Sequence, residues 1–325
     1  MIAEFKPGQA IEDFFVLRKA ECRKQAEKGE LYLSLELGDA SGRIFGTLWK
    51  QVDEMLKLLK EGDIVKVKGQ VIEWKGKLHL SVEKIRLAQV NDRVDSDSLI
   101  PAGTCDPQEN LDKIFQKIGT VEDENLRSLL LSVYNDKTIR KALLKAPAGK
   151  LWHHCYEGGL LEHTLGVCNF AESIAMQVLK VDRQLLIAGA LLHDIGKIRE
   201  YKTGYFIDYS DEGRLLGHIS IGYHIVAGFI ERNKKFPEEL ANKVLHLILS
   251  HQGELEHGSP VVPMCRESLI LYYADELDSK LNAFDRIYDK EKSQHKKWSS
   301  YVKLMDRFLY FGDDPNLNAM RGQEK

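Results

Sequence analysis

Near residue 91 the hydrophobic pattern of this chain changes its period. Before that point apolar and polar residues alternate on a period of two. After Pro107 the apolar residues recur at helical spacing and keep doing so. A period-two segment buries one face in a sheet, and a 3.6-residue period buries one stripe of a helix, so the two stretches cannot share one architecture. The expectation is a multidomain chain, all-β over residues 1–92 and all-α over residues 107–325. A linker is expected at 93–106, where the chain is polar and carries Pro101 and Gly103 just ahead of Pro107. With 325 residues, each part can build its own core.

In the first part, LYLSLEL (31–37) alternates cleanly, Asp39 to Gly42 make a turn, and RIFGTLW (43–49) completes a hairpin. Helical spacing over 53–60 ends at Gly62. DIVKVKGQVIE (63–73) and LHLSVEKI (78–85) are two more strands around a Lys75-Gly76-Lys77 turn, and a first strand is expected over 14–20. Five short strands with one helix between the third and fourth predict a small Greek-key barrel of the OB type. The second part predicts helices over 111–118, 125–134, 137–145, 160–179, 183–195, 219–233, 237–251 and 268–284, with a small β excursion within 197–209.

Composition sets bounds on the function. An apolar fraction of 43% and a charged fraction of 29% are those of a globular protein, and no apolar run is long enough for a membrane span. The start, MIAEFKPGQAIEDFF, has no basic region leading into an apolar one. Five scattered cysteines without a CxxC pair fit reduced thiols in a cytoplasm, not a disulfide framework. The net charge of −3 divides into +2 over residues 1–90 (16 basic, 14 acidic) and −5 over 91–325 (30 basic, 35 acidic), too small an asymmetry to identify a partner.

The chemistry is concentrated in the helical part. His193 and Asp194 sit side by side at the end of the apolar run LLIAGALLHD. An unpaired buried Asp costs several kcal/mol, which a divalent ion removes. His163 in GLLEHT, His218 in LLGHIS, His251 in LILSHQG and Asp275 in LYYADELD add one metal-competent side chain each, all on or beside predicted helices. The order H…HD…H…H…D is what a helical two-metal hydrolase needs. A donor set without cysteine suits manganese, iron, nickel or zinc. His224 and His246 are read as structural. His153 and His154 are candidates for substrate contact, and His257 for a place in the cleft.

The H…HD…D order resembles the HD superfamily of metal-dependent phosphohydrolases. The segments WHHCYEGGLLEHT (152–164), ALLHDIGKIREY (190–201), LSHQGELEHGSP (249–260) and ADELDSKLNAF (274–284), together with the barrel, resemble the YhaM-type 3′→5′ exoribonucleases. The resemblance implies an OB-type barrel followed by an all-α HD-superfamily domain. It also implies a first ion held by His163, His193, Asp194 and Asp275, with Asp194 bridging to a second held by His218 and His251. Manganese is favoured, and Lys197 contacts the scissile phosphate beside Asp194 in the catalytic group. The implied activity is release of nucleoside 5′-monophosphates from the 3′ end of single-stranded RNA, with single-stranded DNA as a further substrate. Two other readings stand beside it: a phosphodiesterase of a cyclic or small nucleotide, and a nucleic-acid-binding protein with an inactive HD domain. The sequence leaves room for a homo-oligomer.

Strand binding needs aromatic platforms and basic side chains. Candidates are Trp74, Lys75, Lys77, Tyr32, Arg43, Lys66 and Lys68 on the barrel, and His154 in the helical part. Phe45 and Trp49 share one strand parity and are left open between this face and the core.

Overall fold

The computed structural model describes residues 1–25, 29–74, 76–89, 91–95, 98–99, 106–150, 152–202, 207–291 and 297–312, the side chains of His257 and Lys290 excepted. Lys75, Cys105 and much of the segment expected as a linker lie outside the described residues.

Five strands close the N-terminal barrel: β1 (Ala10–Lys24), β2 (Leu31–Asp39), β3 (Gly42–Leu48), β4 (Ile64–Trp74) and β5 (Lys77–Leu87), with helix α1 (Val52–Leu58) between β3 and β4. The order around the barrel is β1-β2-β3-β5-β4, and β4 returns to β1. Only the β3–β5 pairing is parallel. Strand β1 is longer than expected because it serves two neighbours. Its first half pairs with β4, and from Val16 onward it pairs with β2, with a register shift between Leu17 and Lys19 inside that second pairing. Such a bulge bends a strand, and here it lets one strand close a barrel this small. Alternation fills the interior: Leu33, Leu35 and Leu37 of β2 and Val65, Val67 and Val71 of β4 are fully buried.

The second part is helical: α2 (Pro107–Gly119), α3 (Glu124–Tyr134), α4 (Lys137–Leu143), α5 (Gly159–Ala175), α6 (Arg183–Leu192), α7 (Lys197–Glu200), α8 (Asp211–Arg232), α9 (Glu238–Ser250) and α10 (Arg266–Glu291). Strands β6 (Tyr201–Lys202) and β7 (Asp208–Tyr209) pair within the expected β excursion. Asp106, Asp123, Asp136 and Asp182 cap the N-termini of α2, α3, α4 and α6 by accepting backbone N–H bonds. Helix α6 is buried along Leu185–Leu192, the centre of one apolar cluster that spans all the larger helices. The barrel core is a separate cluster. No helix among the described residues is long and apolar enough to cross a membrane.

Helices α2, α5, α8 and α10 differ most from expectation: α2 begins at Pro107, ahead of Leu111, and α10 runs on to Glu291, past Phe284. Helix α5 stops at Ala175, short of Leu179. Helix α8 starts at Asp211, well before Ile219, because Ser210 caps an extra segment that breaks at Gly217.

Candidate metal centre and the barrel face

A helix buried all round, as α6 is, can present polar side chains only where it ends. His193 and Asp194 stand at that end, with relative exposures of 0% and 2%. The end is pinned from behind: the fully buried Tyr134 of α3 donates its hydroxyl to Leu191 O at 2.5 Å. His163 comes from the second turn of α5, His251 follows the last residue of α9, and Asp275 lies mid-way along α10. His218 depends on two glycines. Gly217 has φ 70° and ψ 154°, a region open essentially to glycine alone, and the break it makes starts a new helical segment at His218. A Cβ on Gly196 would stand 2.0 Å from His218 O, so only glycine lets the chain leaving Asp194 pass this close to α8.

The six side chains expected at the centre converge around Asp194. On one side, Asp194 Oδ2 lies 3.3 Å from His163 Nε2 and 3.4 Å from His193 Nε2. The two imidazole nitrogens are 3.4 Å apart, and Asp275 Oδ1 is 3.2 Å from His163 Nε2. On the other side, Asp194 Oδ1 lies 3.4 Å from both His218 Nε2 and His251 Nε2.

What the other ring nitrogens do fixes what these contacts are. His193 Nδ1 donates to Ala190 O at 2.8 Å, and His251 Nδ1 to Ile248 O at 2.7 Å. His163 Nδ1 donates to Asp278 Oδ2 at 2.7 Å, and His218 Nδ1 to Glu200 Oε1 at 3.1 Å. Carbonyls and carboxylates only accept, so each Nδ1 carries a proton, and Nε2 is the nitrogen each ring turns toward the centre, where its lone pair can bind an ion when that nitrogen is unprotonated. Asp194 Oδ1, His218 Nε2 and His251 Nε2 are buried without a hydrogen-bond partner. Three buried acceptors facing one another repel unless a cation stands among them. Donor atoms 3.2–3.4 Å apart also suit the edge of a coordination polyhedron with ligands at roughly 2.0–2.2 Å. This His/Asp cluster could hold a metal.

The electrostatics agree. Burial opposes ionisation of Asp194, but Lys197 and the surrounding imidazoles outweigh it and hold its pKa well below the usual carboxylate range. Burial likewise opposes a charged His163, and hydrogen bonds to Asp194, Asp275 and Asp278 overcome it and push its pKa well above the ordinary value. The pocket therefore favours positive charge. Lys197 is buried, its Nζ 2.5 Å from Asp194 Oδ2, so it is not a solvated helix-end lysine. Burial lowers its pKa, and the nearby Asp194 and Asp275 raise it by more.

His154 is placed differently from a strand-contacting residue. It is buried, with its Nδ1 2.8 Å from Tyr156 OH and its Nε2 3.0 Å from Asp278 Oδ2. His154, His163 and Asp278 could also be read as a metal triad. Asp278 Oδ2 already accepts from both rings, and this hydrogen bonding satisfies the three without an ion. His246 accepts from Met264 N at 3.0 Å, in keeping with a structural role.

On the barrel, closure settles the parity of β3. Ile44 and Leu48 point inward, while Phe45 and Trp49 are 57% and 45% exposed. Trp49 stacks against Tyr32 of β2 with centroids 5.0 Å apart. Phe45 stands beside His79 in the parallel β3–β5 register, and Trp74, 59% exposed, lies 5.9 Å from His79. Tyr32, Trp49, Phe45, His79 and Trp74 thus run across four strands of one outer face. Lys68 and Lys77 are exposed, whereas Arg43 pairs with Glu36 at 3.0 Å and Lys66 with Glu12 at 2.9 Å. Lys75 is outside the described residues. His79 was absent from the sequence-derived set, although it shares the polar parity of Ser81 in LHLSVEKI.

Residues 160–280 match the family model of the HD domain. They form an HD domain. Residues 19–88 match the family model described as an OB-fold nucleic acid binding domain. Among solved structures, a domain of replication protein A from Methanococcus maripaludis is 31% identical over 26% of this chain and 90% of that one, with a TM-score of 0.23. The HD domain of the phosphodiesterase PgpH from L. monocytogenes is 18% identical over 50% of this chain and 83% of that one, with a TM-score of 0.30. Asparaginyl-tRNA synthetase from Entamoeba histolytica is 15% identical over 44% of this chain and 33% of that one, with a TM-score of 0.23.

Proposed function

We propose that this protein is a metal-dependent 3′→5′ exoribonuclease that shortens single strands to nucleoside 5′-monophosphates. The observation that carries the hydrolase reading is the pair of buried donor sets that share Asp194, one on each of its oxygens. In this reading His163, His193, Asp194 and Asp275 hold one ion, and Asp194, His218 and His251 hold the second. Divalent ions, manganese first among the candidates, would supply Lewis acidity that activates water and offsets phosphate charge.

The chain's own residues do the rest. Asp278, Glu200 and the carbonyls of Ala190 and Ile248 lock the imidazoles as Nε2 donors, so the centre is organised before substrate arrives. Lys197 supplies a buried positive charge beside Asp194 for a non-bridging phosphate oxygen. The aromatic face of the barrel stacks bases of the strand behind the terminal nucleotide, with Lys68 and Lys77 near the phosphate path. This extended face has no task in hydrolysis of a cyclic mononucleotide, which weighs against that second reading.

The test is incubation with manganese and single-stranded RNA labelled at either end. A 5′ label should give a descending ladder, and a 3′ label should leave at once as a mononucleotide. Internal cuts at early times, the opposite polarity, or hydrolysis confined to cyclic nucleotides would overturn the assignment.

A further inference from the structure

Helix α10 carries Asp275 and Asp278 on one side and an unpartnered apolar row on the other. Leu269, Tyr273, Leu277 and Leu281 are 41–59% exposed and follow one another at i, i+4 spacing. They form a ridge of about 18 Å, turned roughly 180° from Asp275 at its middle. Scattered exposed leucines are ordinary, but four in a row on a helix that already buries its opposite face mark an interaction surface.

We infer that two copies of this chain dimerise through α10 in an antiparallel, two-fold arrangement. The ridge is complementary to its own reverse. Its midpoint is residue 275, so a reversed copy sets Leu269 opposite Leu281 of the partner subunit and Tyr273 opposite Leu277 of the partner subunit. Its ends carry opposite charge. Asp285, exposed, is the next member of the i, i+4 row at the C-terminal end, and Arg266, exposed, flanks the N-terminal end. Reversal brings Arg266 to Asp285 of the partner subunit, and symmetry makes the same pair again at the other end. Arg266 gives one bond to Lys180 O at 3.2 Å, and its guanidinium has further N–H donors to offer.

One helix row falls short of the roughly 800 Å² per partner of a stable interface. The loop after α5 extends it. Met176, Val178 and Leu179 are exposed there, Leu179 at 87%. The loop is fastened to the start of α10 by the Arg266 bond and by Asp182 N donating to Glu267 at 2.6 Å. In the reversed pair this loop reaches the C-terminal half of the partner's α10. An unrelated partner would require neither a ridge that matches its own reverse nor opposite charges at its two ends, so a second copy is the occupant these features fit.

The test is the mass of the full-length chain by sedimentation or light scattering, and it reads no enzymatic activity. The wild type should be a dimer at micromolar concentration, and Tyr273→Glu a monomer with an unchanged circular dichroism spectrum. Arg266→Asp and Asp285→Arg should each weaken the dimer by about tenfold. The double variant Arg266→Asp/Asp285→Arg should recover most of that loss, and this charge-swap set decides the matter even if Tyr273→Glu fails to fold. A wild type that stays monomeric, an oligomer untouched by these substitutions, or a double variant no tighter than the singles would overturn the inference.

Discussion

Asp194 is common to both buried donor sets. Each of its oxygens faces imidazole lone pairs, and Lys197 already donates to Oδ2. In Asp194→Asn one of those oxygens becomes an NH₂ group, and the negative charge that would bridge two ions in the proposed reading is lost. Under the proposed function, added manganese should stabilise the wild type by mass action, by roughly 2.7 kcal/mol at a hundred times the dissociation constant. That rise in Tm should vanish in Asp194→Asn, and hydrolysis should fall by about 10³-fold or more; a variant that kept both would remove Asp194 from the centre. Asp278 acts one step back, by orienting His163. Asp278→Asn should lower ion affinity by about 10–100-fold, read by calorimetry, without abolishing it. The difference in position explains what could be read in the sequence. His193-Asp194 stands out because a polar pair ends an apolar run. Asp278 and Glu200 bind other side chains and not the centre itself, and a carboxylate three residues after Asp275 on a charged helix looks like a surface residue until the helix is packed. The cysteines make a separate check. Burial pushes the Cys168 thiol up to about 12, while Cys22 is exposed on the barrel. A thiol reagent at neutral pH should modify Cys22 in the native protein and reach Cys168 only on unfolding.

At the scale of elements, the centre depends on where helices stop. Helix α6 ends at the centre, α9 ends at it, and α8 is interrupted to supply His218. The run LLGHISIG shows a helix around His218 but not the break, because a glycine between two helical patterns reads equally well as a start. The structure shows why the residue must be glycine. Nothing stands within 4 Å of a Cβ at position 217, so crowding plays no part and the backbone angles alone set the requirement. Gly217→Ala should therefore cost about 1–3 kcal/mol, seen as a lower urea midpoint with an unchanged slope. Asn should be no better than Ala, since ψ of 154° lies outside the left-handed helical region that asparagine tolerates. The relief of strain should move His218. Binding at the Asp194–His218–His251 side should weaken more than binding at the His163–His193 side, and equal loss at both would argue against the break as the positioning device.

For the whole molecule, the period change near residue 91 made the two architectures legible, and each part has an apolar cluster of its own. The face of the barrel was less legible. RIFGTLW places apolar groups on both parities of β3: Ile44 and Leu48 on one, Phe45 and Trp49 on the other. Alternation gives the period of a strand but not the sign of its inner face when both sides are apolar. Closure against β5 decides it, because the small inward Gly46 lies against Val82 and leaves the two large rings outside. The consequence is a division of labour that can be measured. A fragment beginning at Asp106 retains every residue of the candidate centre and the helical core, so it should bind manganese as the full chain does and still cut very short oligonucleotides. Its affinity for long single strands should fall, since each lost stacking platform contributes roughly 1–3 kcal/mol. Trp49→Ala and Trp74→Ala in the full chain should reproduce part of that loss, raising KM for a long strand while leaving kcat and the cleavage of a dinucleotide nearly unchanged. If Phe45, Trp49 and Trp74 serve a protein contact instead, strand affinity will be the same with and without residues 1–105. Salt separates stacking from charge: log affinity falls with log salt in proportion to the phosphates neutralised. Removing an aromatic ring should lower the affinity and keep that slope, whereas Lys68→Ala or Lys77→Ala should make the slope shallower.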